Sequence, residues 1–286
     1  MPTRVAKIRR SRKPRPDTVS ALARGIEVLR CFQPGSSALS NGDIARRTGI
    51  PKPTVTRLAA TLVALGYLKQ VRETELYSMS AGVLALAQAF LAGLDVRACA
   101  RPHMMELAEW ADASVYLAVR DGLDMVLIET CRSHSTMLRS RVSVGSRLAL
   151  ATAASGRAYL SALGAAERNA LIAEMREAYG THWKDYAAGL ERALKDAAVR
   201  GYALSAGEWH PDINTIAVPL LTAEGELMAL TCGGPAFAFP AERMRKLIAP
   251  RLLATANTIA SEIGGSVPTA APDATPSRRA ASRLAA

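Results

Sequence analysis

Six residues in one short stretch, Lys52, Pro53, Thr54, Thr56, Arg57 and Ala60, have the types and spacing to read a nucleic-acid surface. If the stretch is helical, ~100° per residue puts Pro53, Thr56, Arg57 and Ala60 on one side, opposite Val55, Leu58, Leu62 and Leu65. A guanidinium such as that of Arg57 pairs bidentately with the major-groove edge of guanine, and threonines contact bases or phosphates. Small neighbours let such a helix enter the groove closely. Lys52 and the positive end of the helix dipole both favour phosphate. An ordinary solvated helix face carries similar residue types, so the surrounding elements must distinguish the two.

Elsewhere the sequence offers little reactive chemistry. Cys31, Cys99, Cys131 and Cys232 are scattered, and so are His103, His134, His182 and His210, so no zinc-ligand spacing exists. The cysteines read as reduced thiols of a cytoplasmic protein. There is no G-x-S-x-G, no phosphate-binding glycine loop and no H-E-x-x-H, and Ser155 has no histidine at a triad spacing. No catalytic residue, metal or cofactor is expected.

The elements that would position the six residues are legible. From Ser20 the pattern is helical, with Leu22, Ile26, Leu29 and Phe32 on one face and a stop at Pro34-Gly35. Ser40-Asn41-Gly42-Asp43 has the spacing of a capping box, and Leu39 and Ile44 that of a hydrophobic staple. The second helix ends at Gly49, and Pro51 suits the first position of a third, which ends at Gly66. Tyr67–Val71 and Leu76–Met79 read as a hairpin around Arg72-Glu73-Thr74-Glu75. Helix, capped helix, tight turn, helix and hairpin in series make a winged helix-turn-helix over residues 20–80. A linker helix follows at 81–94, with Ser80 placed to cap it.

Residues 95–264 mix strands (Val115–Val119 with Met125–Thr130, and Thr215–Leu221 with Leu227–Cys232) and helices (153–163, 166–178, 185–199, and from Pro240 to Gly264 with a kink at Pro250). The whole is an α+β class of fold. Charge divides along the same line. The net charge of +11 consists of +10 on residues 1–94, −1 on 95–264 and +2 on 265–286. A basic arm at 1–19 and an Ala/Pro/Ser-rich tail at 265–286 read as disordered. Such asymmetry points to a nucleic-acid module joined to a neutral domain. No apolar run reaches the ~20 residues of a membrane span, and no signal peptide is readable.

These motifs resemble the IclR (isocitrate lyase regulator) family of bacterial transcription factors. The similarity runs from Ala21-Leu22-Ala23-Arg24-Gly25-Ile26 through Ile44-Ala45-Arg46-Arg47-Thr48-Gly49-Ile50-Pro51 and Leu65-Gly66-Tyr67-Leu68. It continues through Val144-Gly145-Ser146-Arg147-Leu148, Ser155-Gly156-Arg157-Ala158-Tyr159-Leu160, Arg200-Gly201-Tyr202 and Ile216-Ala217-Val218-Pro219 to Gly234-Pro235. The resemblance implies a DNA-binding N-terminal domain, the linker helix and a C-terminal effector-binding domain of GAF-like fold. It also implies a homodimer or homotetramer on double-stranded operator DNA, controlled by a small organic or aromatic acid. The expected function is a regulator, a repressor of a catabolic operon, with an activator as the alternative. A GAF-like small-molecule enzyme with a basic appendage and a nonspecific architectural DNA binder are the readings from other classes.

Gly145–Ala158 passes from loop into helix, where unpaired backbone N–H groups favour a carboxylate. By position in the family, the effector-binding candidates are Ala154, Ser155, Glu208, Asn214, Thr215, Thr231 and Gly233. Ala149 and Ala151 stand where relatives usually have Pro and often have His. Gly145 and Gly156 read as turn and packing residues, whereas Glu208–Asp212 fits a pocket lining and a surface loop equally. The hairpin tip carries two acids and no glycine, so its expected DNA contact is weak, with basic residues 4–15 compensating.

Overall fold

The computed structural model describes residues 19–33, 38–134 and 142–268. The basic arm, the Pro34-Gly35 stop and most of the C-terminal tail lie outside them. The described residues form two compact units, 19–94 and 95–268.

The first unit contains α1 (Ser20–Arg30), β1 (Leu39–Ser40), α2 (Asn41–Thr48), α3 (Lys52–Ala64), β2 (Leu68–Gln70), β3 (Leu76–Met79) and α4 (Gly82–Ala92). The capping box forms: Ser40 Oγ accepts from the Asp43 amide, and the Asp43 carboxylate accepts from the Ser40 amide and hydroxyl. Leu39 and Ile44, on either side of that cap, are both buried. Gly49 ends α2 in the left-handed region at φ 73°, which lets the chain turn tightly into α3. One core unites Val28, Ile44, Val55, Ala59, Leu62 and Leu68.

Four details depart from the sequence reading. Pro51 is the N-cap of α3 rather than its first residue, and Pro53 occupies the first turn. Ala59 is fully buried whereas Leu65, the C-cap directly after α3, is exposed: at ~100° per residue it lies about 80° round the helix from Val55, off the stripe of Val55, Ala59 and Leu62. On α1 the buried anchor is Val28, while Leu22 and Ile26 face solvent. Ser80 does not cap α4; its amide donates to Tyr67, and α4 starts from Ala81 without a side-chain cap. The short β1, absent from the sequence reading, pairs with β3 and gives the hairpin a third strand.

The second unit is a six-stranded antiparallel sheet with helices on both faces. Its strands are β4 (Ser114–Asp121), β5 (Asp124–Arg132), β6 (Arg147–Ala149), β7 (Ala203–His210), β8 (Ile213–Leu221) and β9 (Leu227–Pro235), in the order β6-β5-β4-β9-β8-β7. On one face lie α6 (Ala154–Ala162), α7 (Ala165–Tyr179) and α8 (Trp183–Arg200), in a core with Tyr116, Ala118, Ala203, Ala217 and Ala229. On the other face pack α5 (Asp95–Ala111) and α10 (Ala249–Glu262). Alternation along the strands turns Leu117, Ile216, Val218, Leu230 and Cys232 towards that second face.

The sequence reading omitted α5, β6 and β7. Pro102 sits inside α5 and masks a stripe of Val96, Ala100, Met104, Leu107 and Ala111 that is buried throughout. The expected kinked helix is instead α9 (Ala241–Arg243), a π turn at Met244–Ile248, then α10 with Pro250 in its first turn. The π turn relieves the clash that Pro250 would make with the preceding turn of a continuous α-helix. Ser266, which the sequence places in the terminal tail, exchanges two 2.8 Å hydrogen bonds with Leu221.

Candidate functional site

The outer face of α3 is open. Lys52, Pro53, Thr56, Arg57 and Ala60 are exposed and Thr54 is half-buried, while Val55, Ala59 and Leu62 anchor the opposite side. The Arg57 guanidinium has no hydrogen-bond or ion-pair partner among the described residues. Lys52 Nζ lies 3.9 Å from where a side chain on Gly42 would begin, beside the first turn of α2. Thr56 Oγ1 accepts from Asn41 Nδ2 at 2.5 Å and donates to the Lys52 carbonyl at 3.1 Å. Asp43 is held below the usual carboxylate range by its bonds from the Ser40 hydroxyl and amide, and then by Arg46. At the hairpin tip Arg72 to Glu75 are exposed, and Glu73 takes φ 61°, so the turn closes without a glycine.

The second constellation lies where α6 crosses β7, β8 and β9. Register puts Ser205, Thr215 and Gly233 in one cross-strand row, and Ala203, Ala217 and Thr231 in the next. These residues share the face that α6 covers. Residues 151–160 are all buried. Gly156 is pressed against the preceding loop: a Cβ there would sit 2.4 Å from Leu150 Cα. That approach brings the first turn of α6, which has no side-chain cap, beneath the loop. Ser155 Oγ, Ser205 Oγ and Thr231 Oγ1 are buried without a hydrogen-bond partner. An unpartnered buried hydroxyl carries a desolvation cost of about 1–3 kcal/mol. Ser155 is in the uncapped first turn of α6, and Ser205 and Thr231 are on strands that α6 packs against.

Of the expected effector residues, Ala154 and Ser155 are on α6, and Thr215, Thr231 and Gly233 are on the strand faces that α6 packs against. Gly233 has no room for a side chain, since a Cβ would lie 2.4 Å from the Asn214 carbonyl oxygen and 2.7 Å from Thr215 Cγ2. Asn214 does not join them. It alternates to the other face, where Nδ2 donates to the Phe239 carbonyl at 2.9 Å. Glu208 stands at the edge on β7, its carboxylate 2.8 Å from Arg157 Nη1. Arg157 is almost wholly buried on α6 and also donates to the carbonyls of Ala151 and Leu204. Sequence reasoning missed Ser205 and the role of Arg157. Both depend on β7, whose alternation Ala203, Ser205, Gly207 was the available signal.

No thiol among these residues is poised to react. Burial pushes Cys232 up to about 12, and burial with the Glu262 carboxylate pushes Cys99 up to about 11. Among the described residues no group of three or more His, Cys, Asp or Glu side chains could hold a metal ion. No single described helix is long and apolar enough to cross a membrane.

A winged helix-turn-helix unit followed in the chain by an α/β unit with unpartnered polar groups in its core has the parts of a DNA-binding regulator. Comparison with known proteins identifies the family. The IclR helix-turn-helix domain matches residues 21–72, and the bacterial transcriptional regulator IclR C-terminal domain matches residues 88–261. The "HTH-type transcriptional regulator TsaQ1/TsaQ2" of Comamonas testosteroni is 31% identical over 252 residues, covering 87% of this chain and 90% of that protein. The crystal structure of an IclR-family transcriptional regulator from Brucella abortus is 42% identical, with a TM-score of 0.80 over 88% of this chain and 95% of that one. An IclR homologue from Microbacterium hydrocarbonoxydans, crystallised with 4-hydroxybenzoate, is 24% identical with a TM-score of 0.69, over 86% of this chain and 99% of that one. The chain belongs to the IclR family of bacterial transcriptional regulators.

Proposed function

We propose that the chain represses catabolic genes and is released from its operator by a small organic or aromatic acid. In this reading residues 20–80 bind DNA, 81–94 link, and 95–264 bind the effector. Lys52, Pro53, Thr54, Thr56, Arg57 and Ala60 meet double-stranded operator DNA, with Arg57 pairing to guanine. The acid lies between α6 and the strands, its carboxylate accepting from the first-turn amides of α6. Ala154, Ser155, Ser205, Thr215, Thr231 and Gly233 line it, and Glu208 acts at the edge through Arg157.

The observation that carries this reading is the trio of buried, unpartnered hydroxyls on α6 and on the strands it packs against, Ser155 being in the uncapped first turn. The 4-hydroxybenzoate held by the Microbacterium homologue supports the same ligand class. Repression is the simplest output, since occupancy of a promoter suffices. Activation is the alternative, and the operator's position relative to the promoter decides between them. The exposed Leu84, Leu86 and Phe90 of α4 supply a dimer contact, and a homodimer or homotetramer presents paired α3 helices to a palindromic operator. The effector acts by favouring one arrangement of that oligomer over another.

The test is a titration of the protein on its own promoter DNA with a panel of aromatic and short-chain acids. At least one acid is expected to weaken binding at least tenfold, and Ser155→Leu is expected to abolish that response while preserving DNA affinity. If no acid changes the affinity of the wild type, the effector reading fails.

A further inference from the structure

We propose that Thr56 reads its base through its methyl group, and that Asn41 enforces this choice. The inference rests on the reading above that α3 enters the major groove. Thr56 is exposed on the outer face of α3, yet its hydroxyl is already committed. A threonine hydroxyl carries one proton. That proton goes to the Lys52 carbonyl at 3.1 Å, while the oxygen accepts from Asn41 Nδ2 at 2.5 Å. Asn41 is the first residue of α2, held between Ser40 and Asp43, the two partners of the capping box. Its Oδ1 is buried and unpartnered. With the amide turned end for end, the threonine proton would go to Asn41 Oδ1 instead of the Lys52 carbonyl, and in either arrangement none is left to donate to a base.

The hydroxyl therefore has no proton left for a base and one lone pair at most, and Cγ2 is the part of the side chain with no bond inside the protein. The group that matches a methyl in the major groove is the C5 methyl of thymine. Joining the two removes apolar surface from water and is worth about fourfold in affinity per methyl. A threonine reading by its hydroxyl would instead follow the donors and acceptors of the base and ignore the C5 methyl. Asn41 is the positioning residue here: it holds the hydroxyl inward and so selects the methyl.

The experiment uses the full-length protein and the tightest duplex it selects from a random-sequence pool. Thymines are replaced one at a time by deoxyuridine, which removes only the C5 methyl. At one thymine at least, wild type is expected to lose about fourfold. That loss should persist in Thr56→Val, which keeps a methyl and lacks the hydroxyl, and vanish in Thr56→Ser. It should shrink in Asn41→Ala. The proposal is overturned if no thymine is sensitive, if Thr56→Ser shows the same sensitive position, or if Thr56→Val loses more than tenfold on the unmodified duplex. An undiminished loss in Asn41→Ala overturns the role of Asn41. If Arg57→Ala also leaves affinity unchanged, α3 is not the reading helix and the error lies in the earlier reading.

Discussion

The outer face of α3 and the underside of α6 both use small hydroxyl side chains, but in opposite states. On α3 the exposed Thr56 has its hydroxyl bonded within the protein, although water was available to satisfy it. Under α6, where water is excluded, Ser155, Ser205 and Thr231 are left without partners. On the proposed DNA-reading face the Thr56 hydroxyl is satisfied within the protein, whereas at the proposed effector site three hydroxyls are not. A preorganised exposed face loses little entropy on binding and discriminates by shape. An unsatisfied interior gains strongly from any small molecule that completes its hydrogen bonds.

The sharpest way to break this comparison is at Gly156. The Cβ of Gly156→Ala would lie 2.4 Å from Leu150 Cα and 2.5 Å from its carbonyl oxygen, so backbone must move. The expected loss is about 3 kcal/mol, read by thermal or urea unfolding. Gly42→Ala on α2 meets nothing closer than 3.7 Å and should be neutral or stabilising by up to about 1 kcal/mol. Equal costs at the two sites would show that the loop over α6 is as yielding as the surface of α2.

Arg57→Ala tests the finished face. It should reduce operator affinity by about 1–3 kcal/mol and relax the choice at one base pair, without changing unfolding. Unaltered affinity in a gel-shift or anisotropy titration would remove Arg57 from the reading set.

A smaller effect distinguishes the interior by pH. Burial raises the Cys232 thiol from its ordinary value near 9 to about 12. Between those values the unfolded chain releases a proton that the folded chain retains, so stability falls as pH rises through that window. Below pH ~9 the thiol is protonated in both states and has no effect. Cys232→Ala should flatten the alkaline decline in a series of melts; an unchanged slope would assign it to other groups.

The smallest change is expected from Thr231→Val. It removes an unpartnered buried hydroxyl and keeps the shape, so stability should stay within about 1 kcal/mol of wild type or rise. The response of DNA binding to the effector should weaken all the same. A large destabilisation would mean that the hydroxyl has a partner in the free protein, and the contrast with Thr56 would collapse.

How far the sequence alone reached follows from how local each feature is. The capping box at Ser40, the turn at Gly49 and the outer face of α3 depend on residues a few positions apart, and all were legible. The class of the second domain was also legible, but not β7, whose Ser205 acquires meaning only by lying opposite Thr215 on β8. Asn214 was misleading for the same reason: one position from Thr215, it points the other way. Leu65, expected on the buried stripe, is exposed while Ala59 is buried, because angular position about the α3 axis, not hydrophobicity, decides which side chains reach the core. Arg157 is a charge that sequence assigns to the surface; only the carbonyls of Ala151 and Leu204 and the Glu208 carboxylate explain its burial.

The row formed by Ser205, Thr215 and Gly233 has a consequence for how such proteins diversify. Each residue comes from a different strand, and on β8 and β9 the neighbours one position away face the opposite layer with α10. At Ser205 and Thr215, exchanging one small side chain for another would reshape the proposed effector site without disturbing the packing on the opposite face, whereas Gly233 has no room for a Cβ. A gene duplicate could therefore drift towards a new metabolite by single substitutions, each leaving a folded protein that still finds its promoter.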